Sequence, residues 1–376
     1  MKNFFQSSYI DWSIIAIILP IMGAGLLTMS SFSVAGGDNL VIRQLIWIVI
    51  SMSAIFVFSR MDVRFLKRTD ILVGAFFFVV LLLGSLFAIG TTVNGSQSWF
   101  SLGGFSFQPS DLAKLILILL LAKYFSRRHI EIANMKHLLI SGFYAFTFFF
   151  LIFLQPDFGS ALVIFLIWFG MILVSGISKK HLLILATILI AVTMSLWFFV
   201  FETYQKERLM TFVHPLTNIE GSGYNAYQST IAVGSGQVLG KGVGFGTQSK
   251  LKFLPEYETD FIFAAFSEEW GFVGSMLIVV LYVILIIRIL SNALIGRSNF
   301  ETLFGVGFAL MLISHIIINI GMNIGLMPVT GIPLPFMSYG GSHLLVECIG
   351  LGILMSTRRY ARAMHRDDMD REFLGI

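Results

Sequence analysis

The chain is poor in several residue types, and each shortage excludes something. Its single cysteine, Cys348, lies in an apolar stretch, so a disulfide framework is ruled out and thiols give no clue to the redox compartment. Charged side chains make up only 12% of 376 residues, far too few to cover the surface of a soluble domain of that size. The seven histidines form no pair at metal-ligand spacing, which argues against a zinc site. No Gly-x-Ser-x-Gly elbow is present, so a hydrolase-type serine nucleophile is not expected. The net charge of +4 looks basic. Yet no basic stripe with interleaved aromatics lies outside the membrane-adjacent loops, so nucleic acid is not an expected partner.

Apolar side chains are abundant instead, at 56% of the chain, and the mean hydropathy is +0.85. About 20 residues of helix cross a hydrocarbon core of roughly 30 Å. Apolar segments of that order lie near 12–32, 42–59, 71–90, 109–126, 137–154, 159–177, 181–201, 261–290, 301–327 and 342–357. They predict an all-α polytopic membrane protein of about ten transmembrane helices, a single integral membrane domain over residues 1–376. The first run is long for a signal-peptide core and lacks a small-residue cleavage site, so it reads as a retained helix.

Lysine and arginine test that count. On one set of alternate loops fall Lys2, Arg60, Arg64, Lys67, Arg68, Lys123, Arg127, Arg128, Lys136, Lys179, Lys180, Arg288, Arg297, Arg358, Arg359, Arg362, Arg366 and Arg371, which is 18 of the 25 basic residues. The positive-inside rule then places both termini in the cytoplasm. The opposite face carries a large extracytoplasmic loop over 202–259, well beyond an ordinary connector. Two shorter outer loops, Asn94–Pro109 and Pro328–Gly341, are dense in Gly, Pro and polar groups. Such backbone cannot face lipid unpaired, so it is expected to fold over or line a cavity.

Ionisable groups near this outer face are the candidates for chemistry, because charge inside a span is costly and defaults to pairing or function. Asp111 and Lys114 open the fourth span three residues apart, on one helical face. They read either as a structural ion pair or as a pair whose lysine meets an anionic substrate. Asp157, between Pro156 and Gly159, reads as an N-cap or as a substrate-lining carboxylate. The run Pro255-Glu256-Tyr257-Glu258-Thr259-Asp260-Phe261 turns a polar loop into an apolar helix. A half-desolvated carboxylate at Asp260 fits a general base, and helix capping is the rival reading. Glu268 and Glu269, two turns deeper, read as partners of basic groups or packing caps. A divalent cation at Glu256, Glu258 and Asp260 is allowed but not required. The run Gly234-Ser235-Gly236-Gln237-Val238-Leu239-Gly240-Lys241-Gly242 looks like a phosphate loop. It lacks the glycine and the Ser/Thr after the lysine that a phosphate loop needs.

Taken together, the outer-face motifs resemble the SEDS proteins of shape, elongation, division and sporulation. The matching runs are Asn94–Trp99, Phe107–Lys114, Gln155–Ala161, Gly223–Ser229, the glycine-rich run, Phe253–Glu269 and Pro328–Phe336, followed by Ser338-Tyr339-Gly340-Gly341. The form Gly331-Ile332-Pro333-Leu334-Pro335 is closer to the RodA elongation branch than to the FtsW division branch. The resemblance implies a multi-pass protein of the bacterial cytoplasmic membrane. It implies a peptidoglycan glycosyltransferase that polymerises lipid II, partnered by a class B penicillin-binding transpeptidase and by membrane lipid. It further implies that Asp260 is catalytic and that Asp111 and Lys114 are the pair of the fourth span. Two positions depart from the family: Ser98 where an arginine is usual, and His343 where a serine is common.

An α-linked donor and a β-1,4 product require inversion, which a single displacement supplies. One base then suffices, and Asp260 takes that role. Lys114, Arg208, Lys241 and Lys252, with backbone N–H groups of the glycine-rich run, are the available stabilisers of departing pyrophosphate. Tyr224, Gln228 and Gln248 are candidates to bind sugar or amide groups, and Asp111, Asp157, Glu256 and Ser338 complete the expected substrate-binding set. No cofactor is required. Two other classes stand against the enzyme: a flippase for a lipid-linked precursor, and a non-catalytic scaffold for a transpeptidase.

Overall fold

The computed structural model describes residues 10–32, 40–93, 95–102, 105–126, 135–195, 198, 206, 223–251, 253–296 and 298–374, with side chains of the last helix described through Thr357. Ten long helices account for most of it: α1 (Trp12–Phe32), α2 (Leu40–Arg60), α3 (Thr69–Ile89), α4 (Pro109–Ser126), α5 (Met135–Phe153), α6 (Phe158–Ser175) and α7 (Lys179–Ser195). After the short helices α8 (Tyr224–Ser235) and α9 (Thr247–Lys250) come α10 (Ile262–Leu294), α11 (Asn299–Asn323) and α12 (Gly341–Leu374). Each of the ten apolar segments read from sequence coincides with one of the long helices.

Seven of them, α1, α2, α3, α5, α6, α10 and α11, are long and apolar enough to cross a membrane by length and composition. The other three fall short for physical reasons. The span α4 carries Asp111, Lys114 and Lys123 within its 18 residues, and α7 is 17 residues long. In α12 the apolar part is Gly341–Thr357. Burial separates helix roles. Almost all of α4 and most of α11 are buried among other helices, whereas α2 and α3 turn Ile42, Val49, Phe77 and Leu81 outward, as lipid-facing helices do. The centre of the bundle is thus α4, α11 and the outer half of α12, with α12 also packed along α2 and α10 along α11.

A small antiparallel sheet, β1 (Thr91–Val93), β2 (Ser96–Leu102) and β3 (Phe105–Phe107), fills the connection from α3 to α4. Its register pairs Thr91 with Trp99 and Phe100 with Phe107. The sheet replaces the loop expected over Asn94–Pro109, and Ser96-Gln97-Ser98-Trp99 alternates at the period of a strand. The sheet delivers the chain to Pro109 at the first helical position of α4, where a missing N–H costs nothing.

Helix α10 is not continuous. Gly271 has φ 66° and ψ −164°, which breaks the ladder nine residues in. The part beyond the break, Phe272–Leu294, reaches roughly 34 Å and spans a membrane unaided. The sites below are built around the part before it.

Candidate active site

The connection from α11 to α12, Pro328–Gly340, has no regular structure, yet Leu334 through Ser338 are buried. Buried backbone groups must find partners, and here side chains of the surrounding helices supply them. Asn319 Nδ2 donates to Ile332 O at 2.8 Å, and His315 Nδ1 lies 3.3 Å from Pro333 O. Tyr282 Oη donates to Pro335 O at 2.6 Å, and Gln44 Nε2 to Ser338 O at 3.3 Å. In the other direction, Leu334 N donates to Ser338 Oγ at 2.8 Å and Phe336 N to the Glu347 carboxylate at 3.1 Å. Phe336 itself has φ 61°, a conformation that a bulky side chain adopts only when its surroundings impose it.

Asp260 sits on this plate. Ser338 Oγ donates to Thr259 O at 2.6 Å and Tyr339 N to Glu258 O at 2.8 Å, so the turn before α10 is pinned from below. Asn319 and Asn323, one turn apart on α11, both donate to the carbonyl of Asp260, at 2.9 and 3.0 Å. Its carboxylate borders Gly331: a methyl group there would lie 3.4 Å from Asp260 Oδ2. Asp260 is half-buried. The N-cap of α10 is the next residue, Phe261, and it makes no side-chain cap bond, so Asp260 is not the cap residue. Glu256, expected at the substrate, is an exposed turn residue with φ 50° whose carbonyl accepts from Thr259 N and Phe261 N. It shapes the turn that presents Asp260.

A second group of charges lies beneath the same plate. Lys114 Nζ is 3.0 Å from Asp111 Oδ1, with each side chain 3% exposed. Ser342 Oγ donates to Asp111 Oδ2 at 3.2 Å, and His343 Nδ1 is 3.5 Å from Asp111 Oδ1. His343 Nε2 lies 2.8 Å from Glu347 Oε1, an ion-pair distance without hydrogen-bond alignment. The ion-pair reading of Asp111 and Lys114 matches the geometry: they form a paired and buried couple. Asp157 is the N-cap of α6, accepting from Ser160 N at 3.0 Å, and its other oxygen accepts from Gln108 Nε2 at 3.0 Å. The start of α6 is pressed against the plate, since a methyl group at Gly159 would come within 2.5 Å of Thr330 O. The cap reading of Asp157 therefore holds, at a position bordering the site.

The glycine-rich run does something other than expected. The break at Gly271 frees backbone groups of α10, and the run closes over them. Lys241 N and Gly242 N donate to Glu268 O and Glu269 O at 3.0 Å each, while Phe272 N and Val273 N donate to Gln237 O and Val238 O at 2.8 and 3.1 Å. Close approach dictates the glycines, because a methyl group at Gly240 would lie 2.0 Å from Glu269 O and one at Gly271 2.2 Å from Gly240 N. Those N–H groups are engaged, so they are not available to pyrophosphate, and this expectation is corrected. Lys241 is engaged as well: its ammonium is 2.7 Å from Glu268 Oε1 and 2.9 Å from Thr247 Oγ1. Glu268, fully buried, also accepts from Thr247 N and Gln248 N at 2.8 and 3.1 Å. Gln248 is held by its backbone, and its side-chain Oε1 is buried without a hydrogen-bond partner among the described residues.

Tyr224 and Gln228 stand one turn apart on α8, both half-buried. That helix is tied to the Asp260 side by Ser229 Oγ donating to Asn323 O at 2.9 Å. Arg208 and Lys252 lie outside the described residues. Ser98 is buried in β2 with its hydroxyl 2.6 Å from that of Ser96, a local pairing in place of a cation. No group of three His, Cys, Asp or Glu converges to hold a metal ion among the described residues. The acidic turn does not form a closed ligand set. Sequence reasoning missed Gln44, Tyr282, His315, Asn319, Asn323 and Glu347, the polar side chains that hold the plate. Their signal was present: residues 315, 319 and 323, like 343 and 347, repeat every four positions along one helical face.

Comparison with known proteins gives concordant matches. The family model described as "Cell cycle protein", covering FtsW, RodA and SpoVE, matches residues 9–363. The peptidoglycan glycosyltransferase MrdB of Escherichia coli K12 is 33% identical over 366 residues, 97% of this chain and 98% of its own length. Stage V sporulation protein E of Bacillus subtilis is 34% identical, covering 94% of this chain and 98% of its own. Among solved structures, a chain of a peptidoglycan synthase complex that coordinates polymerization and crosslinking superposes with TM-score 0.80 at 30% identity, covering 93% of this chain and 98% of its own. The rod shape determining protein RodA of Thermus thermophilus superposes with TM-score 0.69 at 30% identity, covering 93% and 96%.

Proposed function

The chain belongs to the FtsW/RodA/SpoVE family and is a peptidoglycan glycosyltransferase of many membrane passes; on that premise we propose that it builds glycan strands from lipid II with Asp260 as the general base. One observation carries the assignment. Asp260 is a half-buried carboxylate at a helix start whose own backbone is held by three side chains, Asn319, Asn323 and, through Thr259, Ser338. The carboxylate is thereby positioned without being consumed as the cap residue.

In the reaction the acceptor sugar hydroxyl attacks the anomeric carbon of the donor as the bond from that carbon to pyrophosphate breaks. Its proton passes to Asp260, and undecaprenyl pyrophosphate leaves with the bonding electrons. Configuration inverts from α to β in one displacement. The departing negative charge faces the outer plate, beneath which Lys114 is the buried cation. Lys241 is committed to Glu268, so its contribution is to hold the loop rather than to bind phosphate. A divalent cation, if used, is shared between one carboxylate of the acidic turn and substrate phosphates, as magnesium sites commonly are.

The charge asymmetry of the loops supports an orientation with both termini in the cytoplasm of a bacterial cell and the site on the outer side. The Gly331–Pro335 form supports a role in elongation. The likeness to a synthase complex supports a class B transpeptidase as partner. The deciding experiment supplies labelled lipid II to the purified protein, with and without such a partner. Glycan strands made by wild type support the enzyme. Transfer of intact lipid II across a vesicle bilayer with no strands, partner present, supports a flippase, and neither outcome supports a scaffold.

A further inference from the structure

We infer that His343 is a positioning residue for the glycosyl transfer, coupling the buried Asp111–Lys114 pair to the plate on which Asp260 rests. The inference rests on the assignment of Asp260 as base. The geometry runs through one imidazole. Its Nδ1 lies 3.5 Å from Asp111 Oδ1 and its Nε2 2.8 Å from Glu347 Oε1, so the ring stands between two carboxylates on different helices. The second oxygen of Glu347 accepts from Phe336 N at 3.1 Å, the backbone group of the strained residue of the plate. Two residues on, Ser338 Oγ reaches Thr259 O at 2.6 Å, immediately before Asp260. The His343 ring also stacks on that of His315 at 4.9 Å between centroids, and His315 Nδ1 is 3.3 Å from Pro333 O. Both ends of the plate's central Pro333–Phe336 segment are thus fixed through residues that His343 touches.

Charge explains why an imidazole suits the position. Around it stand Asp111 and Lys114 from α4, His315 from α11, Glu347 from its own helix and, beyond Glu347, Tyr282 from α10, whose hydroxyl is spent on Pro335 O. Helix α2 contributes the uncharged Gln44 and Trp47 near the start of α12. Two ionised carboxylates and one lysine leave a net negative charge in a dry place, where imbalance is costly. A protonated His343 restores neutrality. Losing that proton leaves Glu347 without its counter-charge and loosens its hold on Phe336 N. Imidazole is the side chain of this cluster whose ordinary titration lies nearest neutrality. The plate, and with it Asp260, is therefore held most firmly while His343 is protonated.

The test measures strand synthesis by the full-length protein from lipid II across pH, for wild type, His343→Gln, His343→Lys and Asp260→Asn. Wild-type kcat is expected to fall as rising pH takes the proton from His343. His343→Gln is expected to lower kcat about ten- to hundredfold, the scale of a small misplacement of a reacting group, with KM changed much less than kcat. His343→Lys, which keeps a cation, is expected to retain more activity than His343→Gln and to lose the alkaline fall. Should His343→Gln fail to fold, the double variant His343→Gln/Glu347→Gln removes both charges together and takes its place. A wild-type kcat that is flat into the alkaline range overturns the inference. So does an alkaline fall that persists in His343→Lys, or a His343→Gln effect confined to KM. Asp260→Asn separates the two layers: an active Asp260→Asn sinks the base assignment itself. An inactive Asp260→Asn beside unaffected His343 variants sinks the positioning role alone.

Discussion

Asp260 and Glu268 stand eight residues apart on the same stretch of chain, and the fold treats them in opposite ways. Around Glu268 the protein spends its donors on the carboxylate: Lys241, Thr247 through both backbone and side chain, and the backbone of Gln248 all converge on it. Around Asp260 the donors of Asn319 and Asn323 go to the main-chain carbonyl instead, and the carboxylate lies beside a glycine at a half-exposed surface. A carboxylate saturated with donors is a poor base and a good anchor. An aspartate whose main-chain carbonyl is held by two asparagines is rigid in position. The comparison teaches that the function of an acidic residue here is legible from where its neighbours' hydrogen bonds land, not from its depth alone.

That contrast can be attacked from either side. The largest effect is expected at the anchor's hinge. Gly271→Ala combines a φ of 66° with a methyl group 2.2 Å from Gly240 N, and the expected result is failure to recover folded protein from membranes, read by size-exclusion in detergent. Next comes Glu268→Ala. Removing the fully buried acceptor leaves the backbone N–H groups of Thr247 and Gln248 without their partner, at about 1–3 kcal/mol each, so thermal unfolding is expected to shift down and hydrogen exchange to rise across residues 241–248. Wild-type stability in this variant would break the anchor half of the comparison. On the other side, Ser338→Ala leaves Leu334 N buried without its acceptor, a loss of about 1–3 kcal/mol, and is expected to depress kcat because Thr259 loses its tether. The smallest effect belongs to Lys241→Met. Its side chain is 29% exposed, and a partly exposed pair is worth about 1 kcal/mol or less. A modest loss of stability with little change in KM for lipid II is expected, whereas a tenfold rise in KM would return Lys241 to the phosphate.

How much of this was readable beforehand divides along physical lines. All ten long helices were legible because apolar length is a local property, and the cap at Asp157 was legible because Asp before a helix is a local signal. The small sheet was not, since Ser96 to Phe107 alternates too briefly to stand out from a polar loop. Asp260 was located, but the reason it is held, two asparagines one turn apart on α11, depends on a contact across about sixty positions of sequence that no local pattern announces. The glycine-rich run was misread for a similar reason. Its N–H groups close a gap opened by Gly271, and nothing in the sequence marks which glycine of an apolar helix will break it. His343 drew notice only as a departure from the family, and its meaning depended on Glu347 one turn on and Asp111 from another helix.

The measurement closest to the central claim compares Asp260→Asn with wild type in strand synthesis from lipid II, at equal amounts of folded protein and with thermal unfolding recorded on the same samples. Asparagine keeps the shape and leaves the main-chain carbonyl to Asn319 and Asn323, so unfolding is expected to move little. Loss of the base is expected to lower the rate by about two to four orders of magnitude. Synthesis near the wild-type rate, or a loss of activity that tracks a loss of folded protein, would contradict the account.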